Sequence, residues 1–251
     1  MDREELFEAF INECEKRKEI CGIGNPLAQI LLVGQEFYVP MGTKVDLDSE
    51  LEKNYAYCRN LLSDKSSFIS PKGEMDGDKL IRRNITWCNY QTLINKIYNR
   101  HSDVEGMLDF EKYAFTTELS SVPKTSSRFI NKAEKKAVLE RVSKRLDFFS
   151  KSDFIKDFPV IILACGGYVV NRKEKGTLQI NDTFGVKYGD KEGGLNGEYK
   201  NASGKKRFYT HYSTNPAVKK LVIHTGQVSQ FDGALWDKMA IIIQDFLNIK
   251  R

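Results

Sequence analysis

No run of eighteen apolar residues occurs in the 251-residue chain, so nothing in it reads as a membrane-spanning helix and no membrane partner is expected. The opening MDREELFEAF is acidic and lacks the basic and apolar regions of a secretory signal, which makes the expected compartment cytoplasmic. Cys14, Cys21, Cys58, Cys88 and Cys165 are odd in number and widely spaced, with no Cys-x-x-Cys pair. That pattern argues against a disulfide framework and against a zinc or iron–sulfur site, so they read as reduced thiols. Of the three histidines, His101 and His211 lie in polar surroundings with no ligand-like spacing to a cysteine or carboxylate, and solvent-exposed positions are expected for both. Neither a Gly-x-Gly-x-x-Gly after a strand nor a Gly-x-x-x-x-Gly-Lys-Ser/Thr is present, which leaves dinucleotide and P-loop sites unsupported. No metal and no organic cofactor is expected.

What is present suffices for one sizeable core. Hydrophobic residues make up 41% of the chain and charged residues 29%, and one α/β domain over residues 1–251 is the simplest organisation. Residues 3 to 20 place Leu6, Phe7, Phe10, Ile11 and Cys14 at helical spacing, and the same periodicity recurs over 84 to 99, 133 to 149 and 235 to 247. Between these helices lie short apolar runs, Ala28 to Val33, Val160 to Cys165 and Lys220 to His224, with the β-rich Tyr113 to Leu119. Such runs suit strands buried on both faces. The alternation predicts a three-layer α/β/α fold around a mainly four-stranded parallel sheet. Thr177 to Val186 and Arg207 to Ser213 have strand composition and read as an inserted antiparallel hairpin, while 40–80 and 187–206 read as loop excursions, the first with room for a helix over Leu51 to Leu62.

In a parallel sheet of this kind ligands bind beyond the carboxyl ends of the strands. Gln35, Glu36 and Tyr38 follow the first strand, Glu118 ends the second, and His224, Gln227 and Ser229 follow the fourth. A carboxylate can orient a water and a histidine can stabilise a developing oxyanion, so their convergence would form a hydrolytic site. Gly34-Gln35-Glu36-Phe37-Tyr38 resembles the Gly-Gln-Asp-Pro-Tyr motif of the uracil-DNA glycosylase superfamily, and His224-Thr225-Gly226-Gln227-Val228-Ser229 is similar to its His-Pro-Ser-Pro-Leu-Ser loop. Phe115 to Leu119 sits where that family has a strand ending in its base-reading asparagine. The resemblance implies a DNA glycosylase acting on uracil or another modified base in DNA, without a cofactor. It implies that Gly34 and the main-chain amides around Gln35 belong to the base pocket, that Glu36 orients the water, and that Tyr38 excludes a 5-methyl group. It implies further that His224 donates toward the leaving base, that Ser229 holds a phosphate, and that Val228 is the wedge replacing an extruded nucleotide, with Gln227 among the substrate-binding residues.

Two positions depart from that pattern. Glu36 replaces Asp, moving the carboxylate by roughly an ångström, a displacement that can cost about 100-fold in rate. Glu118 replaces Asn, and an ionised carboxylate only accepts hydrogen bonds; it suits a base offering donors, such as the amino group of cytosine or adenine. Each residue also has a plain structural reading: Gly34 to Tyr38 as a strand-to-loop turn, His224 as a structural histidine, Glu118 as a turn cap, Val228 as core. The alternatives are a binding protein of the same fold that has lost hydrolysis and an enzyme cleaving a free nucleoside or nucleotide. The net charge of +5, from 39 basic and 34 acidic residues, permits but does not establish attraction to DNA. Lys132, Lys135, Lys136, Lys205-Lys206-Arg207 and Lys219-Lys220 are candidate phosphate contacts, with Tyr199, Phe208, Tyr209 and Tyr212 available for stacking. The sequence names no protein partner.

Overall fold

A computed structural model describes residues 1–38, 46–64, 68–76, 79–101, 106–124, 132–172, 177–189, 196–226 and 232–250. Among these residues seven α-helices, α1 (Arg3–Arg17), α2 (Leu47–Asn60), α3 (Ile85–Tyr98), α4 (Lys132–Lys151), α5 (Asp153–Asp157), α6 (Gln179–Phe184) and α7 (Gly233–Leu247), surround one large sheet. Its strands are β1 (Ile23–Gly24), β2 (Ile30–Tyr38), β3 (Ala114–Lys124), β4 (Val160–Leu163), β5 (Val186–Tyr188), β6 (Glu198–Lys200), β7 (Arg207–Ser213) and β8 (Leu221–Thr225). They lie in the order β1-β3-β2-β4-β8-β7-β5, with β6 paired to β7.

The four strands β3, β2, β4 and β8 are mutually parallel, as the apolar runs predict. Every residue of β4 is fully buried, and β2 sends Leu31 and Val33 to one face and Ile30 and Leu32 to the other. The first face packs on α1, α2, α4, α5 and α6, the second on α3 and α7, giving the three layers. Helix starts are fixed locally: Asp2 makes a capping box with Glu5, while Asn84, Ser152 and Asp232 accept from the third residue on in α3, α5 and α7. In chain order the parallel strands run second, first, third, fourth. The order therefore reverses between β2 and β4, the position at which sheets of this kind bind ligands beyond the strands' carboxyl ends.

Four expectations need correction. First, β2 and β3 do not stop near Val33 and Leu119; they remain paired through Glu36↔Ser120 and Tyr38↔Lys124, with a bulge between. Gly34 to Tyr38 is thus strand, neither loop nor turn. Second, Gln179–Phe184 is helical despite its β-rich composition, because Ile180, Thr183 and Phe184 fall on one helical face and the segment packs on α4; Gly185 at φ +65° ends it. Third, the 187–206 excursion contributes β6 and most of β5, so the antiparallel part has three strands. Fourth, the 40–80 stretch is more than a loop: the helix expected there is α2, which begins at Leu47 rather than Leu51 and buries Leu51, Tyr55 and Cys58, and part of a ribbon between Gly73–Asp76 and Lys79–Arg83 follows it.

Glu111, in the short turn before β3, is 2% exposed and accepts from Ser70 Oγ at 2.9 Å. Burial lifts its pKa from 4.5 to about 7, against the opposing Ser70 bond. The folded state therefore holds a proton that the unfolded chain has released, so the stability present below pH 4.5 is lost as pH rises to 7. The gap corresponds to about 3 kcal/mol. Glu111→Gln is expected to match wild type in urea unfolding near pH 4 and exceed it by up to about 3 kcal/mol above pH 7. Parallel curves across that range would show that Glu111 ionises normally.

Candidate functional site

The alternation of β2 places Gly34 and Glu36 on the same face, and the register sets Glu118 of β3 directly beside Gly34. The Glu118 carboxyl lies over this glycine, since a Cβ there would come 2.1 Å from Glu118 Oε2. Any side chain at Gly34 would push the Glu118 carboxyl from this position. Glu36, two residues on, is the diagonal neighbour of Glu118, and its Oε1 accepts a hydrogen bond from the Tyr168 phenol. Glu118 is half-buried, with Oε2 enclosed and without a hydrogen-bond partner. Its pKa is pushed well above the carboxylate range, by burial first and by Glu36 second, with Arg145 opposing. The neutral, protonated form of Glu118 is thereby favoured. An ionised Glu118 would only accept, whereas the protonated carboxyl offers one donor and one acceptor.

A second group of contacts ties three strand ends together. Gln35 Nε2 donates to the Cys165 carbonyl at 2.8 Å, and His224 Nε2 bonds the next carbonyl, Gly166, at 2.9 Å. A carbonyl only accepts, so His224 Nε2 carries the hydrogen and Nδ1 of the neutral ring is an acceptor. Burial keeps the ring neutral by lowering its pKa, and the Gly166 bond offsets part of the fall. Gly166 adopts φ +53°, a left-handed conformation suited to glycine, and lies between Gln35 and Gly226. The Tyr209 ring lies beside His224 at 6.1 Å.

Gly34, Gln35, Glu36, Glu118 and His224 thus lie together at the carboxyl ends of β2, β3 and β8 and the turn after β4. Strand alternation divides them: Glu36 and Glu118 share the face of Ile30 and Leu32, whereas Gln35 and His224 share the face of Leu31 and Val222. Gln227, Val228 and Ser229 lie outside the described residues, as does the side chain of Tyr38. Sequence reasoning missed Tyr168, whose signal was the Gly166-Gly167-Tyr168 turn closing the third apolar run. It also missed Arg141, near enough to lower the Tyr168 pKa against the rise caused by burial and Glu36, and with its Nε buried and unbonded.

Other assignments change with burial. His211 is 2% exposed rather than solvated, and burial first, with the neighbouring His224 imidazole second, holds its pKa down to about 4. Its strand β7 is interior to the sheet, between β8 and β5, while His101 is exposed as expected. Lys220 leaves the proposed basic cluster: it is buried and donates to the Lys156 carbonyl, whereas Lys135, Lys136, Lys205, Arg207 and Lys219 are exposed. Phe208 is core, with Tyr199 stacked on it at 4.7 Å, so neither ring is free for a base.

Among the described residues no group of three His, Cys, Asp or Glu side chains is placed to hold a metal ion, and no helix is long and apolar enough to cross a membrane. A cleft of about 390 Å³ lined by Arg17, Glu19, Ser143, Lys144 and Asp147 contains none of the strand-end residues. Comparisons with protein-family models, curated proteins and solved structures return no match.

Proposed function

We propose that this protein is a DNA glycosylase that hydrolyses the N-glycosidic bond of uracil or another modified base. The observation that carries the reading is the meeting of Glu36, held by Tyr168, with Glu118 at the strand ends where the strand order reverses. The resemblance of the Gly34 and His224 segments adds the substrate class. In this mechanism Glu36 takes a proton from water as the water oxygen bonds to the anomeric carbon, and the glycosidic bond breaks with its electron pair passing to the base. His224 turns its Nε2–H from Gly166 toward the base as negative charge develops there.

One observation favours a second reading, a base-binding protein without hydrolysis: the His224 Nε2–H is already committed to Gly166. The deciding assay uses labelled single- and double-stranded oligonucleotides carrying uracil, hypoxanthine, xanthine or hydroxymethyluracil. Alkali-labile abasic product is expected, together with DNA affinity that falls steeply as salt rises. Salt-sensitive binding without product would select the binding protein. Turnover of free nucleosides without DNA affinity would select a nucleoside hydrolase.

A further inference from the structure

Resting on the glycosylase reading, we propose that Glu118 is the general acid of this site and protonates the base as it leaves. The proposal starts from two carboxyl groups on one face of adjacent parallel strands, given unlike surroundings. Glu36 is bonded to a phenol that stabilises its anion, whereas the Glu118 Oε2 rests on Gly34, enclosed and unbonded. Two neighbouring carboxyls in such unequal environments divide into a base and an acid.

The groups facing Glu118 support that division. Glu36 lies on the β2 side and its charge opposes a second charge. Tyr90 of α3 and Cys165 of the turn after β4 supply no cation, and both are themselves raised, by burial first and by Glu118 behind it. Arg145 of α4 is the cation in reach, but it meets Glu118 at the main-chain carbonyl, 3.3 Å from Nε, and pairs its charge with Glu19.

The step balances without a co-reactant other than water. The water oxygen bonds to the anomeric carbon, its proton goes to Glu36, and the carbon–nitrogen bond breaks toward the base. Glu118 gives its proton to a ring nitrogen of that base, which leaves neutral. Glu36 ends protonated and Glu118 ionised, and a proton passing between them restores the resting state. The substrates this assistance serves are bases whose anions leave poorly, such as purines with a basic ring nitrogen; a base that departs readily as an anion needs it least.

The test pairs spectroscopy with kinetics on the full chain. Infrared difference spectra of wild type against E118Q are expected to show a protonated carboxyl at neutral pH that the variant lacks. On oligonucleotides E118Q is expected to lose about 10²- to 10⁴-fold on hypoxanthine and about tenfold or less on 5-fluorouracil. The fall of the wild-type rate at high pH, where an acid loses its proton, should be absent from E118Q. E118D, which keeps a proton donor on a shorter arm, should restore part of the hypoxanthine rate. An ionised Glu118 at neutral pH overturns the proposal regardless of activity. Equal losses on both bases, or none, overturn it while leaving the glycosylase reading intact. Failure of wild type to release any base removes both, and the infrared band then reports only a buried acid.

Discussion

Glu36→Gln is expected to lower base release by about 10²- to 10⁴-fold, the usual worth of a positioned proton acceptor, with DNA binding and thermal stability nearly unchanged. The substitution keeps size and lets the Tyr168 phenol donate to the amide oxygen in place of Oε1, so the contact between the end of β2 and the turn after β4 survives. What disappears is the charge. Water loses its base, and Glu118 loses the neighbouring anion that helps to keep it protonated. Tyr168→Phe separates positioning from chemistry: it leaves the Glu36 carboxylate in place but removes a donor that stabilises its anion. The acid limb of the pH–rate profile should therefore move to higher pH, with kcat reduced more than DNA affinity. Single-turnover kinetics over pH checks both variants. A Glu36→Gln enzyme as fast as wild type would leave the water without an assigned base.

The parts of this arrangement that were legible in sequence are those set by continuous burial. Val160 to Leu163 could be read as a two-sided strand because every residue is apolar, and α3 and α7 because their buried residues recur at three and four. The polar extensions of β2 and β3 were not legible. Ser120 and Lys124 have no strand composition, and their conformation comes from pairing with Glu36 and Tyr38. The same cause hid α6, which owes its helix to contact with α4. Glu118 was legible as a strand-end carboxyl, but its ionisation was not. Residue type suggests an anion, whereas enclosure over Gly34 beside Glu36 favours the protonated form. Tyr168, the partner of Glu36, lies 132 residues away along the chain, a contact no local pattern specifies.

Arg145→Met is expected to cost about 3–5 kcal/mol, the usual penalty for removing one partner of a buried charged network. Arg145 occupies the buried stripe of α4 between Val142 and Leu146 and is only 1% exposed, so its charge must be met inside the protein. It is met on three sides. NH1 pairs with Glu19 at 2.7 Å, NH2 donates to the Ile20 carbonyl and to Thr117 Oγ1 at 3.1 Å, and Nε donates to the Glu118 carbonyl. The guanidinium also lies 4.7 Å from the Phe149 ring centroid, adding a cation–π contact. Methionine fills the volume but leaves the Ile20 carbonyl only the weak Cys14 thiol as a donor and the Glu19 carboxylate without its cation. For a chain of this size the midpoint of thermal unfolding should fall by about 10 °C. Arg145→Lys should recover less than half of the loss, since a point charge cannot reach Glu19, Ile20, Thr117 and Glu118 together. Because the same side chain joins α4 and the segment after α1 to β3, its loss should also release the strand that carries Glu118. Faster amide exchange is then expected at Thr117 to Leu119 before global unfolding. An unchanged midpoint with unchanged exchange would mean that the network contributes no more than the apolar packing methionine retains.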